Sequence, residues 1–70
     1  MDILYLQGIA QAGGSIDISA TKLDFLSLQT VAIAGKTGGA QLIIRDAIRL
    51  SSLEAKAIAS KNPGKVTFVF

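Results

Sequence analysis

The sequence predicts an α/β fold: a short right-handed solenoid of three helix-turn-strand repeats, with a three-stranded parallel sheet and the helices on one face. Three observations predict it. A seven-residue pattern, L-x-x-x-[GA]-I-A, recurs at residues 4–10, 28–34 and 53–59, at spacings of 24 and 25 residues. Each copy runs into a turn-rich stretch, at 11–14, 35–39 and 60–64, and each stretch leads into a segment of alternating apolar residues. The chain is expected to form a single domain, 1–70, with repeats near 2–20, 24–45 and 50–70.

The first element of each repeat reads as a helix. Leu at one position, a small residue four later and Ile next to it share one side of a helix, the small residue allowing close approach to the sheet. Asp2, Asp24 and Ser51 stand where N-caps are needed, and Ser51-Ser-Leu-Glu54 has the form of a capping box. Glycines stop the helices, Pro63 cannot extend the third, and Lys61 suits the negative pole of its dipole.

The alternating segments read as strands. Aligned on the last glycine of each turn, Ile16, Ile18 and Ala20 lie over Ala40, Leu42 and Ile44, and those over Val66, Phe68 and Phe70. The opposite face carries Asp17, Ser19, Gln41, Ile43, Arg45, Thr67 and Val69. Strands separated by helices must be parallel, and such crossovers are right-handed in nearly every known case. Leu23, Ile48 and Leu50, between strand and next helix, are expected to turn inward. A competing pattern runs through the same residues, with Thr30 to Ala34 as a strand and 40–61 as one long helix. Agreement of three copies at every level favours the repeat.

The segment Leu42-Ile-Ile44-Arg-Asp-Ala47-Ile-Arg-Leu50 resembles the L-x-L-x-x-N-x-L stretch of leucine-rich repeats, with one residue added and Ala47 in place of Asn. Ile16-Asp-Ile18 begins a similar stretch. The repeat length is also similar to that of the family, 20 to 29 residues. The resemblance implies a strand and a helix per repeat and a binding or scaffold role rather than chemistry. The strand and helix alternation is also similar to that of small sulfate-transporter and anti-sigma antagonist domains, without their phosphoacceptor loop.

Composition narrows the function. The chain has 70 residues, half of them apolar, a mean hydropathy of +0.50, and seven Lys and Arg against five Asp and Glu. Cys, His and Trp are absent, which removes disulfides, thiol chemistry, the usual zinc ligands and the imidazole base. No enzyme and no cofactor are expected. The residues from Ile3 to Ile16 are uncharged, but the stretch is shorter than the ~20 residues a membrane span needs, and the acidic N-terminus lacks the basic start of an export signal. No membrane partner and a cytoplasmic location are expected.

Individual motifs point the same way. Gly35-Lys-Thr-Gly-Gly39 suggests an anion-binding loop, but the phosphate-loop pattern requires glycine where Thr30 stands, and a turn after a helix offers carbonyls. Lys36, Lys61 and Lys65 fall in the turns and form a positive rim; without interleaved aromatic residues they do not make a nucleic-acid site. Asp17, Asp46 and Tyr5 read as surface or packing residues rather than acids or bases. The remaining signal is an uncovered sheet face with Ile43 and Val69 among polar neighbours, and a last strand without a cap. Parallel sheets seldom leave a face to water, and solenoids need polar terminal repeats. The expected function is self-association, as a homo-oligomer or filament, through that face and the strand edges. The alternative is a small protein-binding module, such as an inhibitor, immunity protein or scaffold, using the same face.

Overall fold

A computed structural model describes residues 2–70. The chain forms an α/β structure with the order α1 (Ile3–Gln11), β1 (Ile16–Ser19), α2 (Phe25–Gly38), β2 (Leu42–Arg45), a 3-10 turn (Ala47–Arg49), α3 (Ser52–Lys61) and β3 (Val66–Val69). The strands make one parallel sheet in the order β1-β2-β3.

The helix starts follow from side-chain chemistry that is local in sequence. The Asp2 carboxylate accepts from the Leu4 amide at 3.0 Å and that of Asp24 from the Ser27 amide at 2.8 Å. Ser51 and Glu54 form the complete capping box. Helix α1 ends in a Schellman motif: the Gly14 amide donates to the Ile9 carbonyl and the Gly13 amide to that of Ala10, with Gly13 at φ 94°.

One hydrophobic cluster joins all the layers. Ile16, Ile18, Leu42 and Ile44 from the strands pack with Leu6 and Ala10 of α1, Leu28, Val31 and Ala32 of α2, and Ile58 of α3. Helix α2 is central, packed against both α1 and α3. An added Cβ at Gly38 would overlap the Ala10 carbonyl, and one at Gly35 would lie 2.9 Å from the Asn62 amide nitrogen. The C-terminal ends of the three helices therefore lie side by side, and the helices run in the same direction.

This close packing corrects the reading of 35–39 as a turn. Gly35, Lys36, Thr37 and Gly38 are helical, and only Gly39, at φ 75°, is the left-handed cap. The Gly39 and Ala40 amides both donate to the Gly35 carbonyl, so neither faces an anion. Residues 30–34 are helical, and 40–61 is divided into a strand, a 3-10 turn and a helix.

The helix phase also differs from the seven-residue pattern. Leu28 is buried, but Leu4 is 71% and Leu53 79% exposed. Counted from the N-caps instead, the fourth residues are Leu6, Leu28 and Ala55, the seventh Ile9, Val31 and Ile58, and the eighth Ala10, Ala32 and Ala59. None of these nine is exposed. A shift of two residues rotates a helical position by roughly 200°, from core to surface.

Strand register shifts by two as well. Ile16 pairs with Leu42 and Leu42 in turn with Val66, and Ile18 pairs with Ile44 and Ile44 in turn with Phe68. Ala40 is held by the Gly35 carbonyl and by Asn62, so β2 begins at Leu42 and not at Ala40. An even shift preserves the faces. Leu23 turns inward as expected and Leu50 packs against the core, but Ile48 points outward at 76% exposure while Ala47 takes the buried position.

Candidate interaction surfaces

The open sheet face holds the residues expected there. Asp17, Ile43 and Thr67 form one row across the sheet, and Ser19, Arg45 and Val69 the next. Gln41 lies just before β2, where its carbonyl accepts from the Ile16 amide and its amide donates to the Ser15 hydroxyl. Asp17, Gln41, Arg45, Thr67 and Val69 are exposed; Ser19 and Ile43 are half-buried. Ile43 and Val69 are diagonal neighbours, with Thr67 directly beside Ile43 and Arg45 beside Val69.

Polar contacts organise the β1–β2 side of this face. Arg45 donates from Nε to Asp17 Oδ1 at 2.8 Å and from Nη2 to Oδ2 at 2.9 Å, a bidentate pair. The Arg45 guanidinium holds the Asp17 carboxyl below its ordinary pKa, and Asp17 raises that of Arg45 in return. The Ser19 hydroxyl donates to Asp46 and contacts the Thr21 hydroxyl. Asp46 sits in the left-handed region at φ 56°. The two aspartates considered for acid-base work are therefore occupied in separate contacts: one with a guanidinium, one with a hydroxyl.

The β3 side is different. Along β1 the core-facing residues Ile16 and Ile18 are buried, and along β2 so are Leu42 and Ile44; their counterparts Val66 and Phe68 are only half-buried, and Phe70 is 77% exposed. The Phe68 and Phe70 rings stack with centroids 6.5 Å apart. Backbone pairing shows which groups of β3 are free. The Leu42 amide donates to the Lys65 carbonyl, while the Gln41 and Arg45 carbonyls accept from β1 and its following residue Ala20. In a parallel ladder the bonding residues alternate, so Lys65, Thr67 and Val69 turn to β2 while the amides and carbonyls of Val66 and Phe68 turn to the free edge.

A third surface was missed by the sequence reading. Leu4, Leu26 and Leu53 are each the second residue after an N-cap, and all three are strongly exposed, Leu26 at 69%. Counting from the caps rather than from the leucines is the signal that finds this row. Lys36, Lys61 and Lys65 are exposed at the opposite end of the helices, where the strands begin. Among the described residues no pocket opens, no group of acidic side chains is arranged to hold a metal ion, and no helix is long and apolar enough to cross a membrane. Comparison with protein-family models, curated proteins and solved structures finds no match to this chain.

Proposed function

We propose that the chain is a non-enzymatic, cytoplasmic repeat module that self-associates, a stack of three leucine-rich-repeat-like units whose free β3 edge accepts the β1 edge of a second copy. The burial along β3 carries the reading. Its core-facing side chains are the only ones in the sheet left partly uncovered, and its edge presents unpaired amides and carbonyls. The shared environments of residues counted from the three N-caps support the repeat.

Continuing the stack explains what would cover this edge. Helix α1 precedes β1 as α2 precedes β2, so a second copy with β1 beside β3 brings its own α1 over Val66, Phe68 and Phe70. That burial and the new ladder bonds favour association together. The contact joins two different surfaces, so it closes into a ring or runs on as a filament according to the rotation per copy. Ile43 and Val69 on the open sheet face add a second apolar contact.

Size-exclusion chromatography with light scattering over a hundredfold concentration range tests this reading. The expected result is mass rising with concentration, reduced by Phe70→Lys at the edge and by Ile43→Lys with Val69→Lys on the face, with an unchanged helical signal. A folded monomer throughout rejects self-association; growth unaffected by Phe70→Lys rejects the edge.

A further inference from the structure

We infer that opposite charges choose the partner edge and fix the register of the association: Lys65, at the start of β3, meets Asp17 on β1 of the second copy. The inference rests on the edge pairing proposed above and adds which residues come together. Lys65 is the one charged side chain from 65 to 70, and Asp17 the one charged side chain of β1. The Lys65 carbonyl accepts from the Leu42 amide, so the ladder begins one residue before β3, and Lys65 shares the open face with Thr67 and Val69. Within one copy β2 separates the two charges, two strand spacings or about 10 Å apart. Among the described residues the ion pair is Asp17 with Arg45, and Lys65 stands exposed without a carboxylate.

The register comes from the sheet itself. Ile16 pairs with Leu42 and Leu42 with Val66, so one further step sets the second copy's Ile16 beside Val66. The free backbone groups agree: the Ile16 and Ala20 amides donate to β2, which turns the Asp17 and Ser19 amides outward, toward the edge that Val66 and Phe68 present. In this register Thr67 lies beside the second copy's Asp17, and Lys65 lies on the diagonal to it. The Arg45–Asp17 pair spans a diagonal of the same step within one copy, in the opposite sense, so a long side chain covers the separation. Arg45 uses one lone pair on each Asp17 oxygen and leaves others for Lys65. The other charges near the β1 edge do not oppose this: Asp46 accepts from Ser19, and Lys22, three residues past β1, falls beyond the end of β3. An antiparallel β3-to-β3 contact gives Lys65 no carboxylate, and an antiparallel contact centred on β1 brings Asp17 toward Asp17. The charges thus favour β3 against β1 over either symmetric pairing.

Charge exchange tests this by light scattering at low and high salt, with the helical signal checked in dilute protein. Lys65→Glu sets like charges together at every junction, as does Asp17→Lys. Each is expected to weaken association by about tenfold at low salt and little at high salt. Mixing the two variants restores opposite charges wherever one meets the other, and placing both changes in one chain restores them at every junction. Both arrangements are expected to recover most of the wild-type association, although Asp17→Lys also loses the Arg45 pair. Because the two positions lie on opposite edges of one copy, recovery reports contact between copies. Association indifferent to Lys65→Glu overturns the inference, as does weakening by both single variants without recovery in the mixture or the double variant. If Phe70→Lys still abolishes growth in mass in those cases, the edge reading stands and the charge pairing alone falls. A wild-type monomer at every concentration removes the edge reading and this pairing with it.

Discussion

The side-chain amide of Asn62 donates to the Ala40 carbonyl at 2.9 Å, tying the end of α3 to the residues that lead into β2. Asn62 is 3% exposed, the one buried polar side chain among the described residues, and its amide nitrogen occupies the space left by the missing Cβ of Gly35. Replacing it by Leu leaves the Ala40 carbonyl without this donor and is expected to cost about 1–3 kcal/mol in urea unfolding. Gly35→Ala pushes against the same amide. A double-mutant cycle is expected to show the two substitutions coupled, because each disturbs one contact.

Two glycines in helices predict opposite outcomes. Gly8 has open space where a Cβ would go, so Gly8→Ala is expected to stabilise by roughly 0.5–1 kcal/mol through helix propensity alone. Gly38 abuts the backbone of Ala10 and Gln11. Gly38→Ala forces α1 away from α2 and is expected to destabilise by about 1–3 kcal/mol. Thermal melts of the two variants check both signs against wild type.

These glycines also mark where the sequence stops being legible. The caps at Asp2, Asp24 and Ser51 were readable because capping chemistry involves residues within one turn, and the two sheet faces were readable because alternation survives an even register shift. Gly35 and Gly38 looked like a turn because glycine's backbone freedom is visible in sequence, whereas the closeness of a neighbouring helix is not. The row Leu4, Leu26 and Leu53 was hidden by a recurring seven-residue pattern that pairs Leu28 with the wrong partners. Helix phase is set from the cap, and a two-residue error exchanges core for surface. The residues of the open face were legible, but the Asp17–Arg45 pair across it depends on a register that local pattern does not fix.

Acid sensitivity follows from two carboxylates. Asp17 is held below its ordinary value of 3.8 by the Arg45 hydrogen bonds, and Asp24 by hydrogen bonds from the Ser27 side chain and amide. A depressed folded-state pKa gives stability that is complete above the unfolded value and lost as pH falls through the folded one. Stability is therefore expected to be level near neutrality and to decline below the ordinary carboxylate range. Both groups are exposed, so each contribution is small. Carboxyl-carbon NMR titration of Arg45→Gln is expected to return Asp17 toward its ordinary value and leave Asp24 depressed.

Amide hydrogen exchange in β3 at low and high protein concentration tests edge pairing most directly. Thr67 and Val69 bond to β2 in either case. Val66 and Phe68 donate to solvent in a lone chain and to a neighbouring strand in an assembly. The account predicts fast exchange at Val66 and Phe68 in dilute protein and strong protection in concentrated protein, with Thr67 and Val69 protected in both. Fast exchange at Val66 and Phe68 in concentrated protein whose mass has grown would contradict it, because association would then leave the β3 edge unpaired.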